Sequence, residues 1–245
     1  MMGGPSRFRR RVALWTEKVG LRLDLANGWE ARFFDEDVPH PVKPGVGHRR
    51  LRGWERRYGH ALPHSLRAWL AISDGLHLPS GPLIHPLTAI GPMIPFAKVP
   101  GLMVQPESWY ELGNPGRETV CIDLGYSWPG GDCPVFLSGD DESGRKPRVI
   151  ARSFAEWLGK LLLEGGREYW HDEGFRTLGD PWAEHRNHAP TPLLPDRLKP
   201  LTGRVLPLMR PGANDRTIAS MLGVTTNDVE ALFRHLQHAP SVNSS

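Results

Sequence analysis

The period of the apolar positions changes along this chain, and each change marks an element. In residues 48–58 the apolar side chains Leu51, Trp54 and Tyr58 are spaced for one face of a helix. A second helix is predicted to begin near Pro63, where a proline costs nothing because first-turn N–H groups have no intrahelical acceptor. Leu66, Trp69 and Leu70 line it, and Asp74-Gly75 is expected to stop it through a left-handed glycine. The period then shortens to two. Val120, Ile122 and Leu124 alternate with Cys121 and Asp123, a half-buried strand, and residues 128–132 (Trp-Pro-Gly-Gly-Asp) read as a turn into a strand at 135–137. A further turn at 140–144 leads to a strand at 148–151 and so to a meander. That last strand runs into Ser153-Phe154-Ala155-Glu156, a capping box in which Ser153 accepts from the Glu156 amide while Glu156 reaches back. Phe154, Trp157, Leu158, Leu161 and Leu162 then share one helical face, and Gly165-Gly166 ends it.

Other stretches are less regular. Residues 1–47 read as an extension: an arginine-rich start, a short alternating segment at 29–34, then Pro39, Pro41 and Pro44 as a linker. Residues 76–117 carry eight prolines, which excludes long helices and predicts short edge strands or an ordered loop. The prolines at 190, 192, 195 and 200 read as a domain linker.

At 245 residues the chain can bury one domain and a smaller companion. Its apolar runs fall far short of the ~20 residues that cross a bilayer, and the basic start meets polar residues too soon for a signal peptide, so no membrane partner and a cytoplasmic location are expected. Cys121 and Cys133 form no CxxC pair and predict neither metal nor disulfide chemistry. Lys and Arg outnumber Asp and Glu 13 to 7 in residues 1–60, trail them 11 to 16 in 61–189, and lead 6 to 4 in 190–245. The acidic middle and basic ends predict different partners, although arginine-rich termini are commonly just solvated.

Residues 48 to about 165 resemble the SUKH superfamily, which includes the yeast Smi/Knr cell-wall-synthesis regulators and many bacterial immunity proteins. The resemblance is carried by Leu62-Pro63-His64-Ser65-Leu66-Arg67-Ala68-Trp69-Leu70 with Ser73-Asp74-Gly75, and by Ile150-Ala151-Arg152-Ser153-Phe154-Ala155-Glu156-Trp157-Leu158, with the strands at 120–124 and 134–137 between them. It implies an α+β domain, a mostly antiparallel sheet with packed helices, that binds a protein partner. In bacteria such domains often neutralise toxins, frequently nucleases. An acidic surface suits that role, since opposite charge speeds association with a basic protein. The candidate partner-binding residues are Trp128, Asp132, Asp140, Asp141 and Glu142, which also read as ordinary turn residues.

The carboxy-terminal segment resembles the LuxR-type helix-turn-helix, through Val205-Leu206-Pro207-Leu208, Gly212, Asn214, Ile218-Ala219, Leu222-Gly223-Val224 and Val229. Ala219 is small where two helices would cross, Gly223 makes the turn, and Ile218, Leu222, Val229 and Leu232 fill a small core. Pro207 and Pro211 break the preceding helix, and Asp228 and Glu230 sit where a DNA reader favours cations. Thr225, Thr226, Asn227, Arg234 and His235 are the remaining candidate DNA contacts. The expected organisation is therefore an extension at 1–47, a SUKH-like domain at 48–175, a linker at 176–195 and a small all-α module at 196–239. The alternative function is a DNA-binding transcriptional regulator.

Catalytic patterns are not evident. His60 and His64 are four apart, but Pro63 starts a new helix between them; His171-Asp172-Glu173 and His185 with His188 match no metal-ligand motif such as HExxH. No GxSxG elbow, P-loop or strand-following GxGxxG occurs. No enzyme activity, metal or cofactor is expected.

Overall fold

A computed structural model describes residues 4–26, 33, 43–78, 81–93, 105–115, 118–128, 132–139, 144–208 and 214–238. The fold is α+β, and the described chain forms two compact units, residues 1–93 with 108–184, and residues 94–107 with 185–245.

In the first unit, helices α1 (Gly4–Val19), α2 (His48–Tyr58) and α3 (His64–Ile72) precede the strands. Strands β1 (Leu76–Leu78) and β2 (Gly81–Ile84) form an antiparallel ribbon, and β3 (Gly91–Pro92), β4 (Trp109–Gly113), β5 (Val120–Asp123), β6 (Val135–Leu137) and β7 (Arg148–Ala151) form an antiparallel sheet in chain order. Helix α4 (Phe154–Leu163) follows β7 directly. Tyr110, Leu112, Ile122, Val135 and Ile150 on the strands pack with Leu66, Trp69, Phe154, Trp157 and Leu161 from the helices in one core. The opposite face is also shut off from water: Trp109 lies against Phe136 and Trp182, with ring centroids 4.6 and 4.4 Å away. Burial on both faces explains why β5 is buried along its whole length instead of half-buried.

The capped helix forms as the sequence predicts, with one change. Ser153 Oγ accepts from the Glu156 amide at 2.9 Å, but Glu156 reaches past Ser153 and accepts from the Arg152 amide at 2.8 Å. At the other end the Gly166 N–H donates to Leu161 O at 2.8 Å. Helix α3 ends differently from expectation. Its last residue is Ile72, the cap Ser73 is extended and pairs with Pro44, and Gly75 adopts φ 97° two residues later, where a Cβ would lie 2.9 Å from Ile84 O.

Residues 1–47 depart furthest from the reading of an extension. Phe8, Val12 and Trp15 recur at helical spacing on α1 and are fully buried in the main core. Trp15 meets the Trp69 ring edge-on at 5.9 Å and donates its indole N–H to Ser65 O at 3.0 Å. Val46 N–H donates to Leu70 O at 2.7 Å, so the chain after Pro44 is docked along α3. The segment expected to alternate at 29–34 lies outside the described residues except for Phe33, which packs against Phe8. The 176–195 stretch is not a bare linker either. Val149 and Gly179 form a β-bridge, and helix α5 (Pro181–His188) starts with a proline in the tolerated first position.

The second unit has its own core of Leu194, Leu198, Val205, Ile218, Ala219, Leu222, Val229, Leu232 and Phe233. A 3-10 turn at Asp196–Leu201 and the one-turn helix α6 (Thr202–Val205) lead to α7 (Asp215–Leu222) and α8 (Thr226–His238). Gly223 at φ 69° makes the bend between the last two.

Candidate functional site

The connection from β5 to β6 is fixed at its root by a buried carboxylate. Asp123 accepts from Ser108 Oγ at 2.7 Å, from the Trp109 indole at 2.9 Å and from the Gly125 amide at 2.8 Å. Saturating the carboxylate with donors in this way makes its burial affordable and sets the path of the chain beyond it. The Trp128 amide then donates to Asp132 O at 3.3 Å, closing the turn.

Trp128 and Asp132, the two described members of the expected partner-binding set, come together here. Trp128 is half-buried, and the Arg152 guanidinium stands 5.5 Å from its ring centroid. Asp132 is turned inward: its carboxylate accepts from Ser65 Oγ and, at 3.0 Å, from the Cys133 amide. Burial pushes the Asp132 carboxyl above its ordinary value, while the hydrogen bonds from Ser65 and Cys133 and the nearby His64 pull the other way. Its charge is thus partly spent on holding the turn to α3. Asp140, Asp141 and Glu142 lie outside the described residues.

The assembly has a simple logic. Ser65 belongs to the Leu62–Leu70 motif and Arg152 to the Ile150–Leu158 motif, so one residue of each signature touches this connection, at Asp132 and at Trp128. No protein-family model and no curated protein matches this chain. What the site can do follows from its residues. An aromatic ring backed by a guanidinium, between residues held at Asp123 and Asp132, offers an amphipathic contact surface; residues 129–131 lie outside the described residues. Among the described residues, no group of three or more His, Cys, Asp and Glu side chains is arranged to hold a metal ion. Sequence reasoning missed Arg152 and Ser65. Both sit inside the quoted motifs, which was the available signal.

A second charged cluster has a structural explanation. Glu118 is buried and accepts from Arg148 through both guanidinium nitrogens at 2.5 and 2.8 Å, with Arg145 at 3.5 Å and His171 at 3.9 Å. His171 also pairs with Glu168 at 2.9 Å. The bidentate Arg148 contact compensates the buried carboxylate and ties the loop before β5 to β7.

In the second unit the expected DNA contacts are largely engaged within the protein. The Thr225 amide donates to the Asp228 carboxylate at 3.1 Å and the Asp228 amide to Thr225 Oγ1 at 3.2 Å, a capping box that starts α8, and Arg197 donates to the same carboxylate at 2.6 and 3.0 Å. The Arg197 hydrogen bond holds Asp228 well below the usual carboxylate range. Arg234 pairs with Glu107 and Glu230, and His235 Nδ1 lies 3.0 Å from Pro192 O. Thr226 and Asn227 are exposed.

Proposed function

We propose that this chain is a non-catalytic protein-binding module of the SUKH type, an immunity protein that neutralises a toxin such as a nuclease, and that it docks its partner on the Trp128 edge. One observation carries the reading: Ser65 and Arg152, from the two motifs on which the resemblance rests, converge on the turn that presents Trp128. A tryptophan flanked by arginine is the composition favoured at energetic centres of interfaces. Pinning at Asp123 and Asp132 reduces the ordering cost of association.

The regulator reading through the carboxy-terminal unit has weaker support, because Arg234 and His235 are held by internal partners and Asp228 and Glu230 add negative charge to the same helix. No described helix is long and apolar enough to cross a membrane.

The test is affinity capture with the full-length chain in moderate salt with nuclease added, followed by mass spectrometry. The reading expects a stoichiometric protein whose purified form rebinds the chain. Recovery of no protein, with duplex DNA retained once nuclease is omitted and lost on Arg234→Glu, would replace it with the regulator.

A further inference from the structure

Helix α2 carries Arg49, Arg50, Arg52, Arg56 and Arg57 against a single acid, Glu55. Its inward face is Leu51 and Trp54, the latter anchored by an indole bond to Ile90 O at 2.9 Å, so the arginines at 49, 52 and 56 are driven onto one outward stripe. Glu55 does not neutralise them. Its carboxylate accepts from Arg67 and from the Leu62 amide, which turns it toward α3. Among the described residues no carboxylate pairs with Arg49, Arg50, Arg52 or Arg56, all of which are exposed. Arg49, Arg52 and Arg56 line a groove of about 660 Å³ that also takes in Glu55, which Arg67 pairs, and continues to Gly59 and His60.

At its amino-terminal end this arrangement opposes the helix's own electrostatics, while Arg56 and Arg57 in the last turn suit them. The first turn of α2 holds arginines and no acid, and Gly47 supplies no side-chain cap, so cations sit at the positive end of the dipole. Helix α1 also carries Arg7, Arg9, Arg10, Arg11 and Lys18 against Glu17, with Arg11 donating to Lys43 O, and it too packs on α3. Two helices of like charge thus share one support, an excess that a polyanion neutralises.

We infer that the arginine stripe of α2 is a sequence-independent site for the phosphate backbone of a nucleic acid, separate from the Trp128 edge. Guanidinium groups suit phosphate because they form bidentate contacts at fixed geometry. A membrane surface fits less well, since the apolar side chains of α2 face the core and none is left to insert. An acidic peptide would need only the one groove, whereas the charge recurs on a second helix.

The full-length protein is titrated into labelled duplex DNA and single-stranded RNA by fluorescence anisotropy between 50 and 200 mM salt, beside Arg49→Glu/Arg52→Glu/Arg56→Glu and the corresponding triple Gln variant. Arg49→Glu suits the dipole in the first turn whereas Arg56→Glu opposes it in the last, so the triple Gln variant is the gentler change, and circular dichroism checks that both keep the fold. The expected result is binding that weakens steeply with salt. The triple Gln variant should lower the logarithmic salt slope on duplex by about 2.7, from about 0.9 per lost phosphate contact, and each variant should weaken binding at least roughly tenfold at low salt. A preference for one of the two oligonucleotides identifies which nucleic acid is held. Absence of binding at 50 mM salt, binding unchanged in both folded variants, or retention on anionic vesicles or polyglutamate but on neither oligonucleotide would overturn the inference. Protein capture through Trp128 is a separate readout, so failure of either proposal leaves the other standing.

Discussion

Asp132 illustrates how a residue's type and its neighbours can point in different directions. In the sequence it is an acid on a turn, a natural member of a charged docking surface; in the structure Ser65 and the Cys133 amide claim its oxygens. The folded state raises its pKa through burial, so it binds protons more readily folded than unfolded, and the native state loses stability as pH climbs from its ordinary value of 3.8 through the raised one. Asp132→Asn keeps an acceptor for Ser65 and removes that penalty. Denaturation of both proteins from pH 3 to 7 should show the variant gaining on the wild type as pH rises; a constant difference would mean that burial does not govern this carboxyl. Asp228 has the opposite sign. Its lowered pKa contributes stability above the ordinary carboxylate value, lost as pH falls through the folded value, and Arg197→Ala should diminish that acid sensitivity in thermal melts. The Ser65–Asp132 and Arg197–Asp228 contacts could not be read from sequence, because the partners stand 67 and 31 residues apart along the chain.

Elements were legible where local chemistry and periodicity agree. The helices at 48–58 and 64–72 and the strands at 135–137 and 148–151 follow from spacing alone, and α4 follows from Ser153 and its apolar stripe. Ser153→Ala should cost about 1 kcal/mol by chemical denaturation, the value of a lost N-cap; no change would mean that the Glu156 bond to the Arg152 amide carries the cap. Helix α1 was hidden for a physical reason. Phe8, Val12 and Trp15 have helical spacing, but four arginines and a lysine between and around them suppress the apolar signal. The first strands are two to five residues long and interrupted by prolines, too short for a period to show.

For the whole molecule, the α+β architecture implied by the resemblance is what the chain forms, while the role of the amino-terminal segment was not apparent until Trp15 was seen between Trp69 and Phe154. If α1 is integral, Trp15→Ala should lose about 3–5 kcal/mol of stability, the range for emptying a buried aromatic site; a loss near zero would restore the picture of a detachable extension. The placement of Trp128 and Asp132 beside both motifs could not be anticipated, since only folding brings α3 and the β7–α4 junction to the same turn. That convergence underlies the functional proposal, and the most direct measurement is quantitative capture by the full-length chain compared with Trp128→Ala at equal melting temperature. The account predicts a stoichiometric protein partner held by the wild type and lost, by at least roughly the factor of 30 that a 2 kcal/mol hot spot represents, in the variant. A partner retained equally by both proteins would contradict it.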